Sequence, residues 1–318
     1  MNIKRWIARR EANWKRLDTL LYTVEKKGIK TLQANELREL SSLYRSISAD
    51  LARAKTYQVG NTLIRDLHNL TTRAYSQIYQ GSTRQNWRAI LAFYRWGFPE
   101  VVQQTWGYTA VATTIFSVGG LIAWWYAWQD PVFISLVVPE SLITQVRDEQ
   151  ELWMGSILGV EPLASSRIMV NNMAVVFKAV GGGIVAGGWT IYILFFNGLL
   201  MGTIGSLVGQ NNLAYPFWAF VFPHGSLELP AIFLAGGGGL LIARGLLFPG
   251  EYRRSEALKI FAVKAAQLLF GIVPLLFIAG IIEGFISPNP SIPDPLKYLL
   301  GLMLLTLFLF YCSRKKDN

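Results

Sequence analysis

The last two thirds of the sequence contain apolar stretches long enough to cross a lipid bilayer, and this feature restricts the possible folds more than any other. A transmembrane helix needs about 20 apolar residues to span a hydrocarbon core of about 30 Å. The stretch 169–210 would be about 60 Å long as one helix, so we divide it into two spans with a turn near Gly187–Gly188. The predicted spans are 107–128, the two halves of 169–210, 223–248, 260–284 and 296–312. The sequence therefore predicts an all-α, polytopic membrane protein with about six transmembrane helices.

The first third of the chain has a different character. Over all 318 residues, 52% are hydrophobic and 16% are charged, whereas soluble domains have about 25% charged residues. Residues 1–106 carry 18 Lys/Arg and 8 Asp/Glu and the remainder carries 12 of each, so the net charge of +10 lies in the first third. We predict that residues 1–82 form a basic cytoplasmic helical bundle. The aromatic and arginine-rich residues 83–106 are predicted to form an amphipathic helix at the membrane interface.

The basic residues between and after the spans indicate the orientation, because Lys and Arg accumulate on the cytoplasmic side of a membrane. They occur in the loop 249–259 and in the C-terminal tail 313–318. Both termini are therefore predicted to be cytoplasmic, and the acidic loop 129–168 is predicted to be extracytoplasmic. The N-terminus has no apolar stretch of signal-peptide length. We expect a multi-pass protein of a bacterial membrane, either the plasma membrane or a thylakoid membrane if the source has one.

Motifs of the common catalytic and cofactor sites are missing from the sequence. There is no GxxxxGK[ST] nucleotide loop, no HExxH zinc motif and no GxSxG nucleophile elbow. His68 and His224 are the only histidines and Cys312 is the only cysteine, which excludes a histidine-rich metal centre and a disulfide framework. We expect no enzymatic activity, no cofactor and no metal. The basic N-terminal region is expected to contact anionic lipid headgroups and not nucleic acid.

Polar residues inside the predicted spans are the candidates for a functional site. A charged group there costs roughly 2.5–3.5 kcal/mol, so it usually faces a partner or a cavity. The predicted topology gathers six such residues in the outer half of the membrane: Asn171, Asn172, Lys178, His224, Glu228 and Glu283. We predict that Lys178 and Glu228 are ion-pair partners, which would make the cluster structural. In the alternative interpretation the cluster binds a ligand, an ion or a segment of a partner.

Glycines form a second pattern, because small residues allow transmembrane helices to approach closely. GxxxG pairs and a run of four glycines supply the candidates for helix packing, which are Gly183, Gly187, Gly198, Gly202, Gly236 and Gly239. We favour packing within one bundle, although the same residues can form the seam of a homodimer.

Two motifs resemble those of a known family. The pattern PHGxxELPA runs from Pro223 to Ala231, and the pair Asn171–Asn172 is followed by NGxxxG at 197–202. Both are similar to the motifs of the stage II sporulation protein M family, and the resemblance covers about residues 105–312. It implies a non-enzymatic integral membrane protein, since the namesake in spore formers anchors a complex with two secreted peptidoglycan-degrading proteins. The family's membrane domain is also similar in layout to ABC-2 transporter permeases.

Three functions follow from these observations. The first is a membrane scaffold that recruits other membrane or envelope proteins through loop 129–168 and the N-terminal domain. The second is a permease subunit of an ABC-2-type transporter that works with a separate ATPase. The third is an intramembrane hydrolase that uses His224 and Glu228.

Overall fold

The computed structural model describes residues 3–80, 87–157 and 159–315, and the regular structure in these ranges is entirely helical. The predicted all-α class is therefore confirmed. The chain divides into two compact units, Met1–Arg88 and Ala89–Asn318. Residues 316–318 of the predicted basic tail lie outside the described ranges.

The N-terminal unit contains three helices that pack around a shared apolar core. They are α1 (Ile3–Lys27), α2 (Ala34–Thr56) and α3 (Asn61–Tyr75), and a π-helical turn (Ser76–Gln80) extends α3. The side chains at the centre of the core are Leu17, Leu21, Leu40, Ile47 and Leu67. Each helix carries its apolar residues on one face, so burying these faces against one another stabilises the unit.

A second helical segment precedes the first spanning helix. It consists of α4 (Trp87–Ala92), a π-helical stretch (Phe93–Gly97) and α5 (Phe98–Gln104), whereas residues 83–86 of the predicted interfacial helix lie outside the described ranges. The Phe98 ring is buried against Gly271, where an added Cβ would lie 1.9 Å from the ring. Helix α5 is therefore packed into the membrane domain, and the position of residues 83–106 at the lipid interface stays a prediction.

Six helices in the described ranges are long and apolar enough to cross a membrane, as predicted. They are α6 (Trp106–Gln129), α9 (Glu161–Gly181), α10 (Gly188–Gln210), α11 (Ala214–Leu247), α12 (Arg254–Ile281) and α13 (Asp294–Ser313). A 3-10 turn (Gly182–Val185) extends α9, and a π-helical turn (Ile282–Ile286) extends α12. The turn between α9 and α10 lies at the predicted position, where Gly187 has a φ of 82° that glycine adopts without steric cost.

Three of the spanning helices begin earlier than the sequence predicts. Helix α9 begins at Glu161 and not at 169, α11 at Ala214 and not at 223, and α12 at Arg254 and not at 260. Helices α9 and α12 begin among polar residues that the prediction left outside the spans, whereas α11 continues through the apolar residues 214–222 before Pro223, where the prediction placed its start. With 34 residues, α11 is about 51 Å long and exceeds a hydrocarbon core of about 30 Å.

The connection 129–168 is mostly helical and is not an open loop. It contains α7 (Pro131–Val137), α8 (Glu140–Arg147) and a 3-10 turn (Trp153–Ile157), and its last residues belong to α9. The Asp130 carboxylate caps α7 by accepting a hydrogen bond from the Val132 N–H at 2.9 Å. Ile134, Ile143 and Val146 are buried in a cluster with side chains of α10 and α11. Residues 130–157 therefore form a packed cap, called here the α7–α8 cap, on one end of the membrane domain.

Glycines bring the helices of the membrane domain into backbone contact. A Cβ added at Gly198 of α10 would lie 2.0 Å from the Phe116 carbonyl oxygen, and one at Gly202 would lie 2.0 Å from that of Gly120. Comparably close backbone contacts involve Gly183 and Gly239, at 2.2 Å each, whereas a Cβ at Gly236 would meet a Leu194 methyl group at 2.8 Å and Gly187 occupies the α9–α10 turn. Helices α6 and α10 can lie this close only because these positions lack side chains.

Candidate functional site

A polar cavity of about 530 Å³ lies among α6, α9, α10, α11 and α12. Its polar lining consists of Arg167, Asn171, Asn172, Asn197, His224, Glu228 and Glu283. Trp153 of the α7–α8 cap also borders the cavity, so the cavity lies toward the capped end of the domain. Its volume is within the range of about 300–1,000 Å³ that is usual for small-molecule sites.

The His224 ring is held between two side chains at the end of α12. Its Nδ1 lies 3.1 Å from Ser287 Oγ, which is a hydrogen-bond distance, and its Nε2 lies 3.7 Å from Glu283 Oε1, which is longer than a hydrogen bond. The carboxylate of Glu228, one helical turn after His224, completes the group. One ligand atom from each of His224, Glu228 and Glu283 lies within 4.8 Å of the other two. The structure therefore brings three of the six predicted polar residues together at one point.

The packing of α9 against α12 fixes the position of Glu283. A Cβ added at Gly284 would lie 2.3 Å from Ser165 Cβ, so the two helices are in close contact there. The Ser165 hydroxyl donates a hydrogen bond of 2.7 Å to the Gly280 carbonyl oxygen. Glu283 itself lies in the π-helical turn Ile282–Ile286, a local widening of the helix that often occurs at functional sites.

Two prolines inside α11, Pro223 and Pro230, flank His224 and Glu228. A proline has no N–H group, so each one interrupts the hydrogen-bond ladder of the helix. The carbonyl groups four residues earlier, those of Ala219 and Ser226, are left without that helical N–H partner. In the same stretch, the Ser226 hydroxyl donates a hydrogen bond of 2.8 Å to the Pro223 carbonyl oxygen. The PHGxxELP motif thus places both site residues in a locally modified stretch of helix.

The remaining polar lining provides one cation and three amides. Arg167 and Asn171 are one turn apart on α9, and Asn171 Nδ2 donates to Asn172 Oδ1 at 3.4 Å. Asn197 of α10 donates from Nδ2 to the Ile193 carbonyl oxygen at 2.7 Å. Arg167 and Asn197 are not among the sequence-predicted site residues, because Arg167 falls within the predicted loop 129–168 and Asn197 within an apolar span, although Asn197 belongs to the NGxxxG motif. That motif is the sequence signal by which Asn197 can be found.

Lys178 does not join this group, and the predicted ion pair between Lys178 and Glu228 is wrong. Lys178 is exposed in the last turn of α9, and it does not lie within ion-pair distance of Glu228. Because α9 begins at Glu161, Lys178 lies about 25 Å along the helix from its start. Glu283 lies beside the contact between Gly284 and Ser165, and Ser165 is about 20 Å along α9 from Lys178. A cation in the last helical turn interacts favourably with the free carbonyl groups there, and its long side chain can reach the interface.

One carboxylate of the site, that of Glu283, lacks a full set of hydrogen-bond partners in the described structure. Glu283 has a side chain that is 13% exposed, and its Oε2 atom is buried without a hydrogen-bond partner. A buried carboxylate oxygen in this state is costly, because it has lost its hydration without replacing it. The arrangement of two carboxylates and an imidazole therefore favours a cation or a hydrogen-bond donor in the cavity.

These features define a class of protein, a multi-pass helical membrane protein with a polar cavity between its spanning helices. The family model of stage II sporulation protein M matches residues 112–288, which is more than half of the chain, so the chain belongs to this family. The family resemblance is thereby confirmed. A domain of unknown function, DUF8413, matches residues 4–80, which contain the helices of the N-terminal unit.

Two curated proteins of Methanocaldococcus jannaschii are similar to parts of the chain. The uncharacterized protein MJ0706 is 26% identical over 106 residues, which cover 32% of this chain and 48% of that protein. The uncharacterized protein MJ0793 is 30% identical over 124 residues, which cover 38% of this chain and 70% of that protein. The chain thus spans about half the length of the first relative. No solved structure matches the chain.

Proposed function

We propose that this protein binds a polar solute in its membrane cavity and acts as the membrane subunit of a transport complex. The cavity carries the proposal, because ionisable residues within a membrane bundle commonly mark the path of a substrate or an ion. The stage II sporulation protein M family is not a known enzyme family, and we propose a non-enzymatic role. A separate ATPase would supply the energy, since the sequence has no nucleotide-binding loop.

The lining of the cavity suggests the class of solute. The Arg167 guanidinium is suited to bind a carboxylate or phosphate through two parallel hydrogen bonds. The amides of Asn171 and Asn172 can both donate and accept hydrogen bonds. Phe217 and Phe220 add an apolar wall. We therefore propose a small solute that combines an anionic group with hydrogen-bonding groups and some apolar surface.

The accessibility of an introduced cysteine tests whether the cavity is open to water. In a Cys312→Ser background, Asn172→Cys places a thiol in the cavity lining, whereas Val170→Cys places one at a 65% exposed apolar position outside that lining. Because thiols ionise and react only where water reaches them, an impermeant thiol reagent on intact cells should label residue 172 and not residue 170. Absence of labelling at residue 172 from either side of the membrane would contradict the proposal. Labelling from the cytoplasmic side alone would reverse the predicted orientation.

The scaffold function is a second candidate, because the helical α7–α8 cap exposes two apolar side chains. Val132 and Leu136 lie one turn apart on α7 and are 65% and 77% exposed. Such an apolar pair next to the membrane is suited to contact another membrane protein.

Purification in mild detergent, followed by identification of the co-purifying proteins, distinguishes the two functions. Transport predicts a stably bound ATPase. Scaffolding predicts envelope proteins whose recovery decreases in a Leu136→Asp variant. Repeated recovery of the protein alone would count against both.

A further inference from the structure

We propose that His224, Glu228 and Glu283 form a binding site for a first-row divalent transition-metal ion, with Zn²⁺ bound more tightly than Mn²⁺. The inference deepens the proposed function in that it uses the same cavity. From the sequence we expected no metal, so metal binding is a new role for these three residues.

The separations of the ligand atoms support the proposal. Zn²⁺ binds imidazole nitrogen and carboxylate oxygen at about 2.0–2.2 Å, so two tetrahedral ligands lie about 3.4 Å apart. The His224 Nε2 to Glu283 Oε1 distance is 3.7 Å, which is already close to that value. One ligand atom of each of the three residues lies within 4.8 Å of the other two, so the side chains need to move by only about 1 Å to meet the spacing of ligands on one ion.

The surroundings of His224 provide a second, independent observation. A histidine that binds a metal usually donates its other ring N–H to a neighbouring acceptor, which fixes the tautomer and the orientation of the ring. Ser287 is 1% exposed, and its Oγ lies 3.1 Å from His224 Nδ1 in the position of that acceptor. When Nδ1 donates to Ser287, the lone pair of Nε2 is directed to the side of Glu283.

The carboxylate oxygen of Glu283 that has no hydrogen-bond partner also favours a bound metal ion. This oxygen, Oε2, is buried and makes no hydrogen bond in the described structure. The two carboxylates also repel each other in a medium of low dielectric constant. A divalent cation would compensate both effects at once, because it offsets two negative charges beside a carboxylate that lacks a full set of hydrogen bonds.

The donor set indicates which metal fits. One imidazole and two carboxylates suit Zn²⁺ and Mn²⁺, whereas Mg²⁺ and Ca²⁺ prefer oxygen ligands alone. In such a mixed site Zn²⁺ binds more tightly than Mn²⁺. Three protein ligands leave a coordination position open to the cavity. An anionic group of the solute can occupy that position.

Metal binding by the full-length protein tests the proposal. Protein without an affinity tag, in detergent and freed of metal with EDTA, would be titrated by calorimetry with ZnCl₂, MnCl₂ and MgCl₂. We expect one Zn²⁺ per chain, weaker Mn²⁺ binding and no detectable Mg²⁺ binding. His224→Gln, Glu228→Gln and Glu283→Gln should each weaken Zn²⁺ binding at least tenfold. The matched controls His68→Gln and Glu251→Gln alter exposed residues elsewhere and should bind Zn²⁺ like the wild type.

Two results would overturn the proposal. One is the absence of stoichiometric Zn²⁺ binding by the wild-type protein, which does not depend on whether any variant folds. The other is a Zn K-edge absorption spectrum of the loaded wild-type protein that shows sulfur ligation, or no imidazole. Labelling of Asn172→Cys is measured separately without metal. A protein that labels but does not bind Zn²⁺ therefore refutes the metal site and leaves the proposed function standing.

Discussion

Asp50 is completely buried in the N-terminal unit, although its side chain is ionisable. Its carboxylate accepts hydrogen bonds from Arg10 Nε at 2.8 and 3.1 Å and from Trp14 Nε1 at 3.0 Å. The charge is therefore paired and hydrogen-bonded, as a buried charge must be to persist. This interaction joins α1 to α2 through polar atoms in addition to the apolar core.

Removal of Arg10 should destabilise the N-terminal unit strongly. Removing one partner of a buried ion pair costs about 3–5 kcal/mol, because the other charge is left without compensation. We expect Arg10→Met to lower the free energy of unfolding by about 3 kcal/mol, at the lower end of that range. The loss is limited because Arg10 is partly exposed and because Arg53, 4.0 Å from Asp50, still offsets part of its charge. Hydrogen exchange of the α2 amides in the full-length protein measures the change. Arg9→Met, which alters an exposed neighbour, is the control, and equal exchange in the two variants would show that the pair is not stabilising.

At the scale of the element, the contact between α6 and α10 depends on glycine. A Cβ at Gly202 would lie 2.0 Å from the Gly120 carbonyl oxygen, whereas one at Gly205, on the same helix, would make an ordinary contact of 3.4 Å with Trp218. Overpacking costs about 1–3 kcal/mol, so Gly202→Ala should lower the unfolding temperature of the detergent-solubilised protein. Gly205→Ala should leave it nearly unchanged. If both variants unfold at the wild-type temperature, the helices do not approach as closely as described.

The number of spans and the α9–α10 turn could be predicted from the sequence, because hydrophobic length and glycine conformation are local properties. The beginnings of α9, α11 and α12 could not, since α9 and α12 continue through polar residues beyond the apolar run, and α11 continues through Pro223, where a proline suggests a helix start. The earlier start of α9 changes the positions of two charged residues relative to that helix. Arg167 moves from the predicted loop onto α9, and Lys178 moves to the far end of the same helix.

At the scale of the whole molecule, the sequence identified five of the residues that line the cavity but not how they pair. Their polarity inside the predicted spans placed Asn171, Asn172, His224, Glu228 and Glu283 among the candidates. The partner of His224 depends on the π-helical turn after α12 and on the close contact between Gly284 and Ser165. Neither feature has a periodic signature in the sequence, so the sequence favoured a cation predicted at similar depth in an earlier span, Lys178.

Double-mutant cycles test this arrangement most directly. The unfolding temperature of the detergent-solubilised protein, in EDTA, would be measured for His224→Leu, Glu283→Leu and the double variant, and for the same set at Lys178 and Glu228. Neighbouring side chains show coupling of about 0.5–3 kcal/mol, whereas separated residues are additive within about 0.5 kcal/mol. We expect His224 and Glu283 to be coupled, so that their double variant loses less than the sum of the single losses, and Lys178 and Glu228 to be additive. Additivity of His224 with Glu283, together with coupling of Lys178 with Glu228, would contradict the site described here.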